Sequence, residues 1–449
     1  MSDSLLSVGL DVGTTSTQLV VSELKVENRA SGFAVPEMEI TKRRIRYKGE
    51  VHFTPLLGEN LVDGAGVRKI VEAEYAAAGI SREKVNTGAV IITGETSRKE
   101  NARAVLDALS DYAGEFVVAT AGPDLESVLA AKGAGAVAFS EETGKRVLHM
   151  DIGGGTSNLA LVEDGKIIQT GCLNVGGRLL KLDAQGIVTY ISPVLRGICP
   201  LQVGQKAALE QVREVARTLV QALEMAAGLR EKTGLLEQLW TEESGPAWTA
   251  DSGETVISFS GGVADCIESQ HPWLKFGDMG PVLGQAIRES RLCRGQYRLG
   301  SETIRATVIG AGCHSAQLSG STVFVRNVQL PIKNVPVLDL EHLGNLGEEL
   351  AKQDGLAVIA LEGIASPQYR QVREMAEKIA SAVTTGPVLL CLQQDMAKAL
   401  GQALALKMGA DAQILCIDRV KLQRGSYLDV GVPVGPALPV VVKTLILSG

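Results

Sequence analysis

Two short segments of the chain share one pattern, in which an aspartate is followed by glycines and threonines. An aspartate carboxylate can hold Mg²⁺, often through water, while unobstructed backbone N–H groups beside it can face phosphate oxygens. We therefore predict that Asp11 and Asp151 are metal ligands and that the residues after them bind phosphate. The predicted phosphate-binding residues are Gly13, Thr14, Thr15, Gly153, Gly154, Gly155 and Thr156.

Each aspartate stands between two short apolar runs, which predicts a β-hairpin with the aspartate at its tip. The flanking runs are 5–10 and 18–21 in the first case, and 147–150 and 159–162 in the second. One acidic glycine turn often does no more than close a hairpin, so a single copy is weak evidence. Two copies, about 140 residues apart, indicate a duplicated architecture. Facing hairpins of this kind can bracket a triphosphate and its Mg²⁺.

A third glycine turn, at Gly261 and Gly262, follows the apolar run 256–259 and can let the backbone approach an adenosine. The chain has no Gly-x-x-x-x-Gly-Lys-Ser/Thr sequence and no early Gly-x-Gly-x-x-Gly sequence, which excludes a P-loop and argues against a Rossmann cofactor site. The two aspartates could instead form a glycosidase-like acid and base pair. That interpretation needs an aromatic carbohydrate platform, and aromatic residues are only 4% of the chain.

The order of apolar runs and amphipathic segments predicts an α/β fold. Between the hairpins we expect helices at 66–78 and near 97–110, strands at 89–93 and 116–119, and a helix that opens at Pro123 and continues through Ala136. One long helix is predicted at 205–232. A further α/β unit should contain strands at 356–361, 388–392, 413–417 and 439–447, with helices at 368–383 and 396–408.

These elements predict a chain of five parts. They are a first domain at 1–122, a linking helix at 123–143, a second domain at 144–304, a return segment at 305–330, and a C-terminal α/β unit at 331–449.

The composition excludes several classes of partner. A net charge of -7 argues against a nucleic acid, because no extended basic face can release counterions from phosphate. The basic run 42–46 predicts a charged edge strand. Seven cysteines without CxxC spacing argue against structural zinc and suggest a reducing compartment. Without a signal-peptide pattern or an apolar run of about 18 residues, we expect a cytoplasmic protein with no membrane partner.

The ordered set of hairpin, small-residue helix, second hairpin, glycine turn and second small-residue segment resembles the actin, Hsp70 and sugar-kinase superfamily over residues 5–325. This resemblance implies two ribonuclease H-like domains around a cleft that binds ATP. In that superfamily an acidic residue near the start of the first linking helix can orient the attacking water, and Asp124 and Glu126 are the matching candidates. The alternative for both is a favourable charge at a helix N-terminus.

Segments 93–97, 310–315 and 425–431 are similar to those of a narrower family, the reactivating factors of ethanolamine ammonia-lyase, and this similarity covers the whole chain. It implies a low-turnover ATPase that needs ATP and Mg²⁺ and has no lyase activity of its own. Its partner would be the cobalamin-carrying lyase holoenzyme, in which damaged cobalamin is exchanged for intact adenosylcobalamin. Association with the microcompartment of ethanolamine utilisation is also expected.

Three alternatives stay open at this point. The first is a small-molecule kinase of the same fold, with Glu95, Asp124 or Glu126 as the base that activates a hydroxyl group. The second is a nucleotide-binding scaffold that polymerises as actin does. The third concerns the C-terminal unit, which could dock a partner, form a homodimer or give structural support.

Overall fold

The computed structural model describes residues 3–13, 16–28, 38–57, 61–93, 101, 105, 109, 118–120, 123–241, 255–314, 316–318, 323–339, 343–352, 355–383, 386–420, 426–433 and 438–444. Four sequence predictions lie wholly or almost wholly outside these residues: Thr14, Thr15, Glu95 and the helix near 97–110. Among the described helices, none is both long and apolar enough to cross a lipid bilayer.

The first sheet joins an antiparallel meander to two parallel strands. Its elements are β1 (Asp3–Val12), β2 (Ser16–Asn28), β3 (Met38–Lys48), β4 (His52–Phe53), α1 (Gly64–Ala78), β5 (Thr87–Ile92) and β6 (Val118–Thr120). The strand order is β3-β2-β1-β5-β6, with β4 paired to the start of β2. The basic run 42–46 therefore lies on a strand at the edge of this sheet, as predicted.

The second sheet repeats this topology and confirms the predicted duplication. Its order is β13-β12-β7-β8-β9, so a meander is again extended by two parallel strands. The elements of this region are α2 (Pro123–Gly133), α3 (Ala136–Thr143), β7 (Val147–Ile152), β8 (Ser157–Glu163), β9 (Lys166–Leu173), β10 (Leu180–Leu182), β11 (Val188–Ile191), α4 (Leu209–Ala226), α5 (Gly234–Leu239), β12 (Val256–Ser260), α6 (Gly280–Glu289) and β13 (Tyr297–Leu299).

The remaining elements are one more helix and, after it in the chain, a third sheet with its own helices. They are α7 (Ala306–His314), β14 (Ala316–Leu318), β15 (Phe324–Arg326), β16 (Ile332–Asp339), α8 (Leu346–Ala351), β17 (Val358–Leu361), α9 (Tyr369–Ala382), β18 (Val388–Leu392), α10 (Ala397–Met408), β19 (Ile414–Asp418), β20 (Ser426–Val430) and β21 (Pro439–Thr444). The order is β14-β21-β20-β16-β17-β18-β19-β15, so strands of the predicted return segment join the C-terminal sheet.

Both faces of the third sheet are buried, which explains the continuous apolar runs of its parallel strands. On β18, Leu390 faces the core that contains α9 and α10, while Leu389 faces a second core shared with β20 and β21. The predicted α/β character of the C-terminal unit is confirmed by this arrangement.

One predicted helix is interrupted in the structure, and another is shorter than predicted. The helix that opens at Pro123 breaks after Gly133, because Gly135 has a φ of 75° and is left-handed. The long helix predicted at 205–232 is α4 alone, which is shorter at both ends. Gly228 has a φ of 74°, and Thr233 then caps the short helix α5. Helical periodicity was thus correct, but it does not reveal where a glycine reverses the backbone.

Helices α2 and α7 cross at glycines, with almost no space between their backbones. A Cβ atom added at Gly133 would lie 1.8 Å from the carbonyl oxygen of Ala306, and one at Gly310 would lie 2.0 Å from that of Leu129. Small residues allow this closeness, which explains the two small-residue segments in the sequence. Helix α2 comes directly before the strands of the second sheet in the chain, and α7 comes directly after them. The first and second sheets therefore meet at this crossing.

We expect Gly310→Ala to destabilise the protein by at least about 2 kcal/mol, because the new methyl group meets backbone that cannot move aside. The measurement is the midpoint of urea unfolding. Gly234→Ala is the matched control, since a Cβ there has no neighbour within 4 Å, and it should change the free energy of unfolding by less than about 0.5 kcal/mol. An unchanged midpoint for Gly310→Ala would contradict this tight crossing.

Candidate functional site

The two hairpin tips and the third glycine turn face one cavity of about 370 Å³ between the first two sheets. The predicted residues in its lining are Asp11, Gly13, Glu126, Asp151, Gly153, Gly154, Gly155, Thr156, Gly261 and Gly262. The additional polar residues in the lining are Ser16, Gln18, Thr93, Asn158, Arg178, Asp265, Asp278 and Thr307. The structure thus brings together every predicted site residue that it describes except Asp124.

Asp11 and Asp151 lie at the ends of β1 and β7 and repel each other across the cavity. Burial raises the pKa of Asp11 to about 7, although a hydrogen bond from Thr93 opposes this shift, and the charge of Asp151 adds to it. Burial likewise raises the pKa of Asp151 to about 6, against hydrogen bonds from Ser260 and Thr307. Two buried carboxylates that line one cavity and have raised pKa values are an arrangement that a divalent cation would stabilise.

The hydroxyl group of Ser260 is itself held from behind by a buried histidine. Nε2 of His149 lies 2.9 Å from Ser260 Oγ, and Nδ1 lies 3.2 Å from Ser258 Oγ. Since Ser260 donates its proton to Asp151, the Ser260 oxygen accepts from Nε2–H of His149. Burial lowers the pKa of His149 to about 3, so this ring is neutral. His149 is therefore a fully buried, neutral residue that positions Ser260.

An amide side chain stands opposite each aspartate, which sequence reasoning missed. Asp11 pairs in register with Gln18, and Asp151 pairs with Asn158. The amide follows the aspartate by seven positions in both hairpins, so the spacing was present in the sequence as a signal. A backbone hydrogen bond repeats in the two hairpins as well. The N–H of Gly13 donates to the carbonyl oxygen of Ser16 at 2.9 Å, and the N–H of Gly153 donates to that of Thr156 at 2.9 Å.

The two acidic candidates on α2 have different surroundings. Glu126 is 6% exposed, lines the cavity, and accepts a hydrogen bond of 2.7 Å from Asn158 Nδ2. Asp124 is exposed, lies outside the cavity lining, and accepts a hydrogen bond from Thr170. Residues that are two positions apart on a helix point their side chains to different sides of it. Only Glu126 is placed where it can contact a bound ligand.

The third glycine turn allows close contact between β12 and the second hairpin. Gly261 has a φ of 85°, and a Cβ atom there would lie 2.3 Å from the carbonyl oxygen of Ile152. Any larger residue would push the turn away from the hairpin tip. Gly155 has open space around it, which leaves the tip accessible from the cavity.

The donor atoms of the site suit Mg²⁺ bound together with phosphate. Within the described residues there is no cluster of three or more histidine, cysteine or acidic side chains that could hold a metal alone. Mg²⁺ keeps several waters and is commonly held by one or two carboxylates together with substrate phosphates. Asp11 and Asp151 supply two such carboxylates, and all seven cysteines are free thiols away from the lining except Cys266.

A family model and two relatives match nearly the whole chain. A family model described as ethanolamine utilisation protein EutA matches residues 3–448. A protein of Salmonella typhimurium named ethanolamine ammonia-lyase reactivase EutA is 40% identical, and one of Escherichia coli with the same name is 38% identical. Both alignments cover 98% of each chain. A solved Ppx/GppA family structure from Aquifex aeolicus aligns with 69% of this chain and 97% of its own, at 13% identity and a TM-score of 0.42. The chain belongs to the EutA family of ethanolamine utilisation proteins.

Proposed function

We propose that this protein reactivates ethanolamine ammonia-lyase, using Mg²⁺ and ATP bound in the cavity between its first two sheets. The observation that carries the proposal is the pairing of Asp11 and Asp151 at two equivalent hairpin tips that line one cavity. The names of the relatives, which are 38–40% identical over 98% of the chain, support the identity of the partner.

Each part of the site has a separate task in this proposal. Asp11 and Asp151 hold the cation, whose charge offsets that of the phosphates when it is bound. The backbone at 153–156 faces the phosphate oxygens. Glu126 orients a water molecule for attack on the terminal phosphate, and Asn158 fixes that carboxylate through the 2.7 Å hydrogen bond.

A nucleotide in this position touches both sheets, so its binding and hydrolysis can change the angle between them. The backbone contact of α2 and α7 is the point about which such a change would occur. Because only a difference in partner affinity between nucleotide states can drive an exchange, the ATP and ADP states must bind the lyase differently. That difference would release damaged cobalamin and admit intact adenosylcobalamin. A slow ATPase suffices, since lyase inactivation is occasional.

The C-terminal sheet is proposed as the part that docks the lyase. Its first strand, β14, follows directly after α7, which connects this sheet to the helix crossing. The two alternatives are that this unit forms a homodimer or that its role is purely structural. Binding experiments can distinguish both from docking of the lyase.

The test is recovery of deamination by lyase that was inactivated with cyanocobalamin. We expect recovery when this protein, adenosylcobalamin, Mg²⁺ and ATP are added together, and no recovery when ATP is left out. Replacing ATP with a non-hydrolysable analogue separates the effect of binding from that of hydrolysis.

No recovery from protein that binds ATP would overturn the proposal. Phosphate transfer to a small alcohol in the same mixtures would favour the kinase alternative instead.

A further inference from the structure

The cavity has a strongly unequal distribution of charge. Its described lining includes five carboxylates but one cationic side chain, that of Arg178. The carboxylates are Asp11, Glu126, Asp151, Asp265 and Asp278. A nucleotide triphosphate adds several negative charges, and one Mg²⁺ offsets only two of them. Within the described lining, the position of Arg178 therefore decides where a phosphate group can be stabilised by a positively charged side chain.

Arg178 is fixed by its own backbone to the second hairpin tip. Its N–H donates a 2.7 Å hydrogen bond to the carbonyl oxygen of Gly154, and the N–H of Gly177 donates a 3.0 Å bond to that of Gly153. Gly176 must be glycine here, because a Cβ atom would lie 2.4 Å from the Gly154 oxygen. The arginine thus starts from the segment to which we assign phosphate binding.

The Arg178 guanidinium is held on one side by Asp278. Nε donates to Asp278 Oδ2 at 3.1 Å, and Asp278 Oδ1 accepts a 2.9 Å hydrogen bond from the N–H of Gly280. In the part of the chain that the structure describes, Nε makes the only side-chain hydrogen bond of this guanidinium. The side chain is 27% exposed and borders the cavity, so its terminal N–H groups are available to an oxyanion.

A phenylalanine from the first sheet also lies beside the guanidinium. The Arg178 Cζ atom lies 5.5 Å from the ring centroid of Phe53, a distance at which a cation and an aromatic face attract each other. Phe53 belongs to β4, which pairs with Ser16 at the first hairpin tip. The neighbouring Thr54 donates a 2.8 Å hydrogen bond to the carbonyl oxygen of Gly13. The Arg178–Phe53 pair therefore connects a segment bonded to the second hairpin tip with a strand paired to the first.

We propose that Arg178 binds the terminal phosphate of the nucleotide, and that its stack on Phe53 couples this phosphate to the contact between the two sheets. The inference rests on the function proposed above and deepens it. ATP presents a terminal phosphate at this position and ADP does not, so the arginine gives the two states different interaction energies. A difference of this kind is what any nucleotide-dependent change of shape requires.

Calorimetric titration with Mg²⁺ and either a non-hydrolysable ATP analogue or ADP tests the first part. For Arg178→Gln we expect the affinity for the analogue to fall about 10- to 100-fold, while that for ADP changes less than about 3-fold. Arg178→Lys should be intermediate, because it keeps the charge but loses the planar fork. The matched control is Lys181→Gln, a nearby cation that stacks on Tyr190 outside the cavity lining, with both affinities within about 3-fold of wild type.

Hydrogen exchange of residues 51–57 tests the coupling to Phe53. The analogue should slow exchange there in the wild-type protein but not in Phe53→Leu, which keeps the apolar volume and loses the aromatic face.

Three outcomes would overturn the inference. Arg178→Gln could weaken both nucleotides equally or neither, which would leave the proposed function intact. Exchange at 51–57 could slow equally in both proteins, which would remove the role of Phe53. If wild-type protein bound neither nucleotide, the proposed function would fail together with the inference.

Discussion

Replacing both Asp11 and Asp151 with asparagine is expected to abolish stabilisation by Mg²⁺ and ATP while raising the stability of the ligand-free protein. In the folded chain the pKa values of these carboxyl groups are raised to about 7 and about 6, above the ordinary value of 3.8. At pH 8 the folded state therefore holds two charges that burial disfavours. Asparagine removes the charges, while its carbonyl oxygen can still accept from Thr93 and Ser260.

The sign of the effect depends on pH. A raised pKa in the folded state means that the stability present below about pH 4 is lost as the pH rises through 6 and 7. In EDTA at pH 8, we expect the double variant to exceed wild type by on the order of 2 kcal/mol in unfolding free energy, with a smaller difference at pH 5. Saturating Mg²⁺ and ATP should add about 3 kcal/mol to wild type and nothing measurable to the variant.

Urea denaturation at both pH values, with and without ligand, measures these quantities. Asp164→Asn is the matched control, since Asp164 is an exposed residue with a φ of 47° in the turn between β8 and β9. It should keep the full response to Mg²⁺ and ATP. A double variant that is still stabilised by Mg²⁺ and ATP would remove the two aspartates from the metal site.

Glu126→Gln is expected to slow ATP hydrolysis about 100- to 1,000-fold while leaving ATP affinity within about 3-fold of wild type. The carboxylate lies in the cavity and is fixed by Asn158, so it is positioned to accept a hydrogen bond from an attacking water. Glutamine keeps the shape and can still accept from Asn158, but it is a poor proton acceptor. The variant should therefore accumulate in its ATP-bound state.

Single-turnover hydrolysis and equilibrium binding separate these two effects. Asp124→Asn is the matched control from the same helix turn and should hydrolyse ATP at the wild-type rate, because Asp124 lies outside the cavity lining. A slow Asp124→Asn and a normal Glu126→Gln would reverse the assignment and show that the helix turns its other face to the nucleotide.

The hairpins and their aspartates could be predicted from sequence because the signal is local and occurs twice. An apolar run, an acidic glycine turn and a second apolar run specify a strand pair without information from elsewhere in the chain. The same holds for α9 and α10, whose observed bounds lie within one residue of the predicted ones. The local sequence could not distinguish Asp124 from Glu126 as the site residue, because the difference depends on which face of α2 meets β8.

Arg178 shows why other parts of the site were not predicted. Nothing in the sequence around it distinguishes it from a surface arginine, and its importance comes from Gly154, Asp278 and Phe53, which are far apart in the chain. The break at Gly135 was missed for a different reason. Small residues there are compatible with a continuous helix, and the crossing of α7 over Gly133 is a tertiary contact.

The short distance between α7 and the third sheet has a mechanical consequence. The helix ends at His314 and β14 begins at Ala316, on one edge of an eight-stranded sheet. At roughly 4.8 Å per strand, the path along the sheet to its opposite edge at β15 is about 34 Å, and the curvature that brings β18 against β20 and β21 makes the direct distance shorter. If the sheet follows α7 as a rigid body, a turn of about 5° moves that far edge by at most roughly 3 Å, which is comparable to the diameter of a water molecule. A fluorophore pair on the first and third sheets would measure this amplification directly.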